Sequence, residues 1–251
     1  MMEQLFSGKV ALVTGAGSGI GEATALLYAQ HGAKVIVSDI NAEHGNGVAD
    51  KIRQSGGDAQ FVACDVSKPE ACEQLVSETL RHYGRLDYAC NNAGIGGEAN
   101  AIGDLSVKGW DTVIAVNLSS VFYCMKYQLP AILKGGGGAI VNMASILGQV
   151  GFPHSAGYVA AKHGVVGLTQ NAAAEYSAPG VRVNAVGPGF IDTPLLQQMD
   201  KAAKDMLISK HPIGRLGKAE EVAEVVIWLS SDKASFVTGA YYAVDGAYLA
   251  V

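Results

Sequence analysis

The sequence predicts an α/β protein: a doubly wound parallel sheet of about seven strands, with helices on both faces, in a single domain. Three observations lead there. Short apolar runs alternate with helical stretches from end to end, the pattern of repeated strand–helix–strand units. A glycine-rich turn, Gly15-Ala-Gly-Ser-Gly-Ile-Gly21, joins the first strand to the first helix. No Pro/Ser-rich linker divides the 251 residues, and no repeat of solenoid period runs through them.

Composition supports a large core and narrows the partners. Hydrophobic residues make up 49% of the chain and charged residues 16%, which excludes a disordered polymer. A net charge of −5 without any Lys/Arg block argues against nucleic acid or an anionic membrane as a main partner. The uncharged run over 135–161 is broken by Asn, Ser, Pro, His and repeated Gly, so it makes a poor membrane span. The first residues lack the basic segment of a signal peptide, and the expected location is the cytoplasm. Cys64, Cys72, Cys90 and Cys124 form no C-x-x-C and read as buried, reduced thiols. The six His show no ligand spacing, so no metal is expected.

The elements follow in order. Residues 9–14 are an apolar strand, 22–32 a helix and 34–39 a second strand. With the glycine turn between them, this is a dinucleotide-binding unit. The glycines let the backbone approach a pyrophosphate, and the helix N-terminus favours its charge. Asp39 ends the second strand 18 residues after Gly21. A carboxylate there accepts hydrogen bonds from ribose hydroxyls and repels a 2′-phosphate. Neither Ser18 nor Ile40 offers a compensating positive charge, so NAD is expected over NADP. The plainer reading of Asp39 is a cap before the helix over 41–55. A third strand covers 59–64. Asp65 at its end either meets the adenine or caps the helix over 69–83. A fourth strand, 86–90, leads into Asn91-Asn-Ala-Gly94, at a strand end where open α/β sheets bind ligands.

Residues 110–133 carry one long helical pattern, with Asn117 inside it as a poor helix former. A fifth strand over 139–144 ends beside Ser145. A helix runs from about 155 to 176, a sixth strand over 181–186, and a last strand over 240–244. Between the last two strands lie a Leu/Met/Gln-rich segment with the position of a lid, about 190–215, and an amphipathic helix over 219–229. The cofactor half is thus about 1–135 and the catalytic half about 136–251.

Tyr158 and Lys162 are four residues apart, on one helical face. Using a phenol as a base near pH 7 needs a shift of about 3 units, roughly 4 kcal/mol. A unit charge ~4 Å away in a partly shielded site supplies about that much. Lys162 is therefore expected to lower the Tyr158 pKa. A ketone receiving hydride builds negative charge on its oxygen; Tyr158 can deliver the proton and Ser145 can stabilise that charge.

Taken together, Thr14-Gly-Ala-Gly-Ser-Gly-Ile-Gly21, Asn91-Asn-Ala-Gly94, Asn117, Ser145, Tyr158-x-x-x-Lys162 and Pro188-Gly189 resemble the short-chain dehydrogenase/reductase family over about 9–246. The resemblance implies a Rossmann fold and an NAD-dependent oxidoreductase of CH–OH groups. It implies Tyr158 as acid/base, Lys162 on that phenol and the nicotinamide ribose, and Ser145 on the substrate oxygen. It implies Asn117 as holder of a relay water. Gly15, Gly19 and Gly21 would face the pyrophosphate, Asn91 the adenosine side and Thr193 the carboxamide. Ser18, Ile20, Asp65, Val66, Ala93, Gly94, Pro188, Gly189 and Ile191 complete the expected cofactor contacts. It also implies a homotetramer or dimer.

The expected substrate wall is Ile95, Ile146, Val150, Phe152, Phe190, Leu195 and Met199, with Gln149 as a polar contact. No Arg or Lys accompanies the Ser145 loop or Phe190, which favours an uncharged small-molecule secondary alcohol or ketone. The alternatives are an NADPH-dependent 3-oxoacyl or steroid ketoreductase, disfavoured by Asp39, and a non-catalytic dinucleotide-binding regulator. The regulator reading would expect one of Asn117, Ser145, Tyr158 or Lys162 to be missing.

Overall fold

The computed structural model describes residues 4–197 and 200–251. Its centre is one seven-stranded sheet, every strand parallel to its neighbours, in the order β3-β2-β1-β4-β5-β6-β7. The strands are β1 Val10–Thr14, β2 Lys34–Asp39, β3 Asp58–Ala63, β4 Tyr88–Asn91, β5 Gly138–Met143, β6 Val181–Pro188 and β7 Tyr241–Val244. Strand order reverses between β1 and β4. The loops leaving those two strands turn opposite ways and open a crevice at their C-terminal ends, where such sheets bind ligands.

Each strand of the central pair is buried on both sides, and its residues alternate between two cores. Val10 and Leu12 point to one core with helices α3 Pro69–Tyr83, α5 Ser120–Lys134 and α6 Ala156–Tyr176. Ala11 and Val13 point to the other, with α1 Gly19–Gln30, α2 Ala42–Gln54 and α9 Ala219–Ser230. Fully burying each Leu or Ile of these layers contributes about 1.5–3 kcal/mol. All four cysteines are buried and free. Among the described residues, no helix is long and apolar enough to cross a membrane.

Three elements differ from the sequence expectation. The long pattern over 110–133 is not one helix. It is α4 Val107–Ile114, a π-turn over Ala115–Ser119 and then α5. The extra residue of the π-turn swings Asn117 into the protein, where it is fully buried. Helix α1 starts at Gly19 rather than 22, so the glycine turn supplies the first helical turn. Strand β6 continues to Pro188, which carries Gly189 and Phe190 to the crevice. The segment after it forms α7 Pro194–Gln197 and α8 Lys201–Ser209.

One side chain ties the far edge together. The Arg182 guanidinium on β6 donates to the carbonyls of Leu229 (2.6 Å), Ser231 (3.0 Å), Ser230 (3.1 Å) and Val237 (3.3 Å). These include the last carbonyls of α9, which lack intrahelical donors and attract positive charge. Arg182→Leu is expected to lower stability in urea unfolding by about 2–4 kcal/mol, because several part-buried acceptors lose their donor together. Arg182→Lys should recover only part of the loss, since an ammonium cannot span four carbonyls.

Candidate active site

The site starts from a clasp between the loops after β1 and β4. Thr14 Oγ1 accepts from the backbone N–H of Asn92 (3.1 Å) and Ala93 (3.2 Å). Asn92 Nδ2 returns bonds to the carbonyls of Thr14 (3.1 Å) and Gly15 (3.0 Å). Gly15 has φ +62, and a Cβ there would stand 2.8 Å from the Ala93 Cα, so only glycine lets the loops meet. A Cβ on Gly21 would overlap the Gly15 carbonyl.

Ser18 precedes α1 without a side-chain cap, which leaves the first N–H groups of the helix for a ligand. The Asp39 carboxylate is fixed by the N–H groups of Gly17 (2.8 Å) and Asn41 (2.9 Å). A cavity of about 400 Å³ runs over these groups, lined by Gly15, Ser18, Gly19, Asp39, Asp65 and Val66 among others. An open helix N-terminus beneath glycines and a fixed carboxylate beyond suit the pyrophosphate and ribose of a dinucleotide.

The cavity continues into a second chamber of about 300 Å³, sharing Ile20, Asn92, Gly94, Ile95 and Thr193 with the first. Here stand Ser145, Tyr158 and Lys162. Ser145 lies just past β5 and caps a single tight turn, Ile146–Gly148, through Leu147 N–H (3.2 Å). Lys162, buried on α6, donates to the Met143 carbonyl (2.7 Å) and lies 5.4 Å from the Tyr158 ring centre. The Asn117 amide is engaged at both ends: Oδ1 accepts from Ile95 N–H and Nδ2 donates to the Ile95 carbonyl, each at 2.8 Å. A Cβ on Gly94 would be 3.1 Å from Asn117 Oδ1 and 3.8 Å from Lys162 Nζ, so these three residues adjoin.

Sequence and structure comparisons agree with this geometry. A family profile described as enoyl-(acyl carrier protein) reductase matches residues 15–248. The chain is 54% identical over 248 residues to a cyclohexanol dehydrogenase of Acinetobacter sp. (strain SE19), spanning 99% of this chain and 98% of that protein. It is 45% identical to a cis-4-hydroxycyclohexanecarboxylate dehydrogenase of Sinomonas cyclohexanicum, over the full length of both. The crystal structure of levodione reductase superimposes with a TM-score of 0.95 at 37% identity, covering 98% of this chain and 99% of that one.

The chain belongs to the short-chain dehydrogenase/reductase family.

It is accordingly an oxidoreductase acting on CH–OH groups, and its family binds a nicotinamide dinucleotide. The crevice gathers most residues that the sequence singled out. Gly15, Ser18, Gly19, Asp39, Asp65, Val66 and Ala93 line the larger chamber. Ser145, Ile146, Phe152, Tyr158, Lys162, Pro188, Gly189, Phe190 and Ile191 line the smaller. Asp65 does not cap α3: its Oδ1 accepts from Ser67 N–H and Oγ, and Lys68 takes the cap position ahead of Pro69. Asp39 does not cap α2 either, because Asn41 does.

Several expectations need correction. The Asn91 side chain does not line either chamber. Asn91 is the last residue of β4 and buried, and its amide is paired with Gln128 and Asn142 beneath the sheet. Its neighbour Asn92 faces the crevice instead, because successive residues leave a strand on opposite sides. Gln149 is exposed and Val150 is half-buried off the chamber, because the turn after Ser145 ends at Gly148 and points both away. Met199 lies outside the described residues, and only the backbone of Leu195 is described; Leu196 of α7 lines the chamber. Ile40, Cys64, Val116 and Pro194 also line the larger chamber without having been singled out. Ile40 and Cys64 flank strand ends beside Asp39 and Asp65, which was the available signal.

The Tyr158–Lys162 electrostatics also differ from the simple pair. Burial pushes the Tyr158 phenol above its ordinary value, opposed by a hydrogen bond from Ser145. Burial pulls the Lys162 ammonium down from 10.5 to about 8. The ammonium leans on the Met143 carbonyl, and the group lowering the phenol in this geometry is Ser145.

This gives a linkage expectation. Below about 8 the fold holds Lys162 charged against its burial; between about 8 and 10.5 the unfolded chain binds more protons than the native one. Lys162 therefore lowers stability fully below pH 8, and that penalty fades as pH rises to 10.5. Lys162→Met removes that penalty but also leaves the Met143 carbonyl without its donor, so the pH dependence is the readout: in urea unfolding without cofactor, its stability relative to wild type should be most favourable below pH 8 and should fall as the pH is raised toward 10.

Proposed function

We propose that the chain is an NAD-dependent dehydrogenase of uncharged alicyclic secondary alcohols, acting reversibly on the matching ketones. The observation that carries this is the smaller chamber: apolar walls from Ile95, Ile146, Phe152, Phe190 and Leu196 around Ser145 and Tyr158, with Lys162 as its one charged lining residue among the described ones. Such walls suit a hydrocarbon ring, and the one cation among the described lining residues, Lys162, is already engaged by the Met143 carbonyl. Three relatives' names support the alicyclic part of this reading, since each contains a six-membered carbocyclic alcohol, although that of Sinomonas cyclohexanicum carries a carboxylate as well.

The bound cofactor supplies the acceptor or donor of hydride at the substrate carbon. In the reductive direction the Tyr158 phenol, which burial keeps protonated, delivers its proton to the ketone oxygen, and in the oxidative direction it takes that proton back. Ser145 donates a hydrogen bond to the same oxygen, and in reverse the two groups steady the developing alkoxide. Lys162 holds the phenol's surroundings from the Met143 side, and Asn117 fixes the Ile95 loop that closes the chamber. Gly15, Gly19 and Gly21 admit the pyrophosphate, Thr193 meets the carboxamide, and the segment 190–215 serves as the lid. Asp39 accepts ribose hydroxyls and repels a 2′-phosphate, which selects NAD. The four buried free thiols support a cytoplasmic location. Exposed Trp110 and Phe122 on α4 and α5, with Trp228 and Phe236 nearer the C-terminus, support a homotetramer or dimer.

A 3-oxoacyl reductase of Thermotoga maritima is 41% identical, yet Asp39 opposes NADPH and the apolar chamber offers no basic rim for a carrier phosphate. Reduced-nicotinamide absorbance with cyclohexanol, open-chain alcohols, diols, hydroxysteroids and 3-oxoacyl thioesters tests the assignment. The fastest turnover is expected with cyclohexanol-type alcohols and NAD; preference for a thioester with NADPH would reject it. Tyr158→Phe should keep cofactor binding and lose at least ~10²-fold in kcat. Asp39→Ser should raise kcat/KM with NADP relative to NAD by about tenfold or more, as the repelling charge goes.

A further inference from the structure

Strand β7 lies two strands away from β5, yet one of its side chains reaches the serine. Tyr241 pairs with Ala185 on β6, and its ring extends diagonally across that strand. It passes over Gly187: a Cβ there would overlap the Tyr241 hydroxyl and ring edge. The hydroxyl then donates to the backbone carbonyl of Ser145 at 2.9 Å. That carbonyl also accepts from Gly148 N–H at 2.8 Å, which closes the turn after the serine. Both lone pairs of one carbonyl are thus held, from two directions.

Ser145 needs such support. The β5–β6 ladder ends at Met143 and Val186, and only the Ala144 N–H continues it, to the Val186 carbonyl (2.8 Å). Past that point the serine backbone is outside the sheet. Burial pushes the Tyr241 phenol above its ordinary value, so it remains a hydroxyl and a donor throughout the working range.

We propose that Tyr241 is a positioning residue for the reaction: across the gap left by Gly187, its hydroxyl anchors the Ser145 backbone and so aims the serine hydroxyl at the substrate oxygen. The proposal rests on the roles given above to Ser145 and Tyr158. Tyr241 lines neither chamber, and Gly187 is its structural counterpart.

The test is steady-state kinetics with NAD and the best alcohol of the panel, on wild type, Tyr241→Phe, Ser145→Ala and the double variant. Tyr241→Phe keeps the ring and loses only the hydroxyl. Its kcat should fall about tenfold, with the cofactor KM within about twofold of wild type, as for a misaligned catalytic group. In the Ser145→Ala background the same substitution should change kcat less than about twofold, because the serine hydroxyl it aims is gone. A Tyr241→Phe kcat within about threefold of wild type, or the full loss repeated in the Ser145→Ala background, overturns the proposal. Gly187→Ala displaces the phenol rather than trimming it and should give the same kcat signature, so the contact is still read if one variant folds poorly. If Ser145→Ala and Tyr158→Phe both keep wild-type turnover, the reading of the site itself fails. If both lose it while Tyr241→Phe does not, only the role of Tyr241 fails.

Discussion

The clasp between Thr14 and Asn92 is the contact on which the crevice depends. Parallel strands β1 and β4 are adjacent, but their following loops must part to admit a ligand. Four hydrogen bonds between Thr14, Gly15, Asn92 and Ala93 stop that parting at the width of a backbone. Each bond contributes only about 1 kcal/mol net. Their geometric effect is larger, because Gly15 and Gly21 have no room for side chains once the loops are joined. Gly94, two residues beyond the clasp, is thereby set against Asn117 and Lys162. The cofactor end and the catalytic end are therefore registered to each other through one short loop.

A second polar layer lies beneath the first. Asn91 bonds Gln128 of α5 and Asn142 of β5, and Asn142 donates to Thr169 of α6 (3.0 Å). All four are buried. Their directional bonds fix the register of β4, β5, α5 and α6, which a greasy interface alone leaves free to slide. Helix α6 carries Tyr158 and Lys162, so this layer sets the height of these two residues above the sheet. Adjacent asparagines in one motif thus serve separate layers.

These layers explain which parts of the molecule were legible in the sequence. The two strands of the β1–α1–β2 unit could be read to within a residue, because glycine spacing, strand composition and Asp39 all report the same local geometry. The pattern over 110–133 misled because apolar periodicity survives a π-turn. What imposes that turn is the pairing of Asn117 with Ile95, a tertiary contact 22 residues away. The face taken by the Asn91 side chain was not legible because a strand's parity is fixed by its neighbours, and a one-residue shift moves a side chain to the other face. Gln149 and Val150 were misplaced for a related reason: the Ser145 loop has no period, and its direction depends on the tight turn over Ile146–Gly148. Tyr241 was invisible as a partner of Ser145, since 96 residues separate them and no motif joins them.

The two chambers recognise their ligands by different physics, and this bears on selectivity. The larger one works through backbone N–H groups, glycine gaps and two fixed carboxylates, so it demands a particular arrangement of phosphate and hydroxyl groups. A ligand lacking one of them leaves a polar group unpaired, which discriminates strongly. On the proposed reading the smaller one would enclose the substrate with Ile, Leu and Phe side chains and offer hydrogen bonds at a single oxygen. One methylene more or less there changes transition-state binding by only about 1–3 kcal/mol. Selection among rings of similar size is therefore shallow, whereas a charged substituent would be left in an apolar wall without a partner. On the proposed reading the fold would thus fix the cofactor and the reacting carbinol tightly, and leave the identity of the ring to the packing of Ile95, Phe152, Phe190 and Leu196 around it.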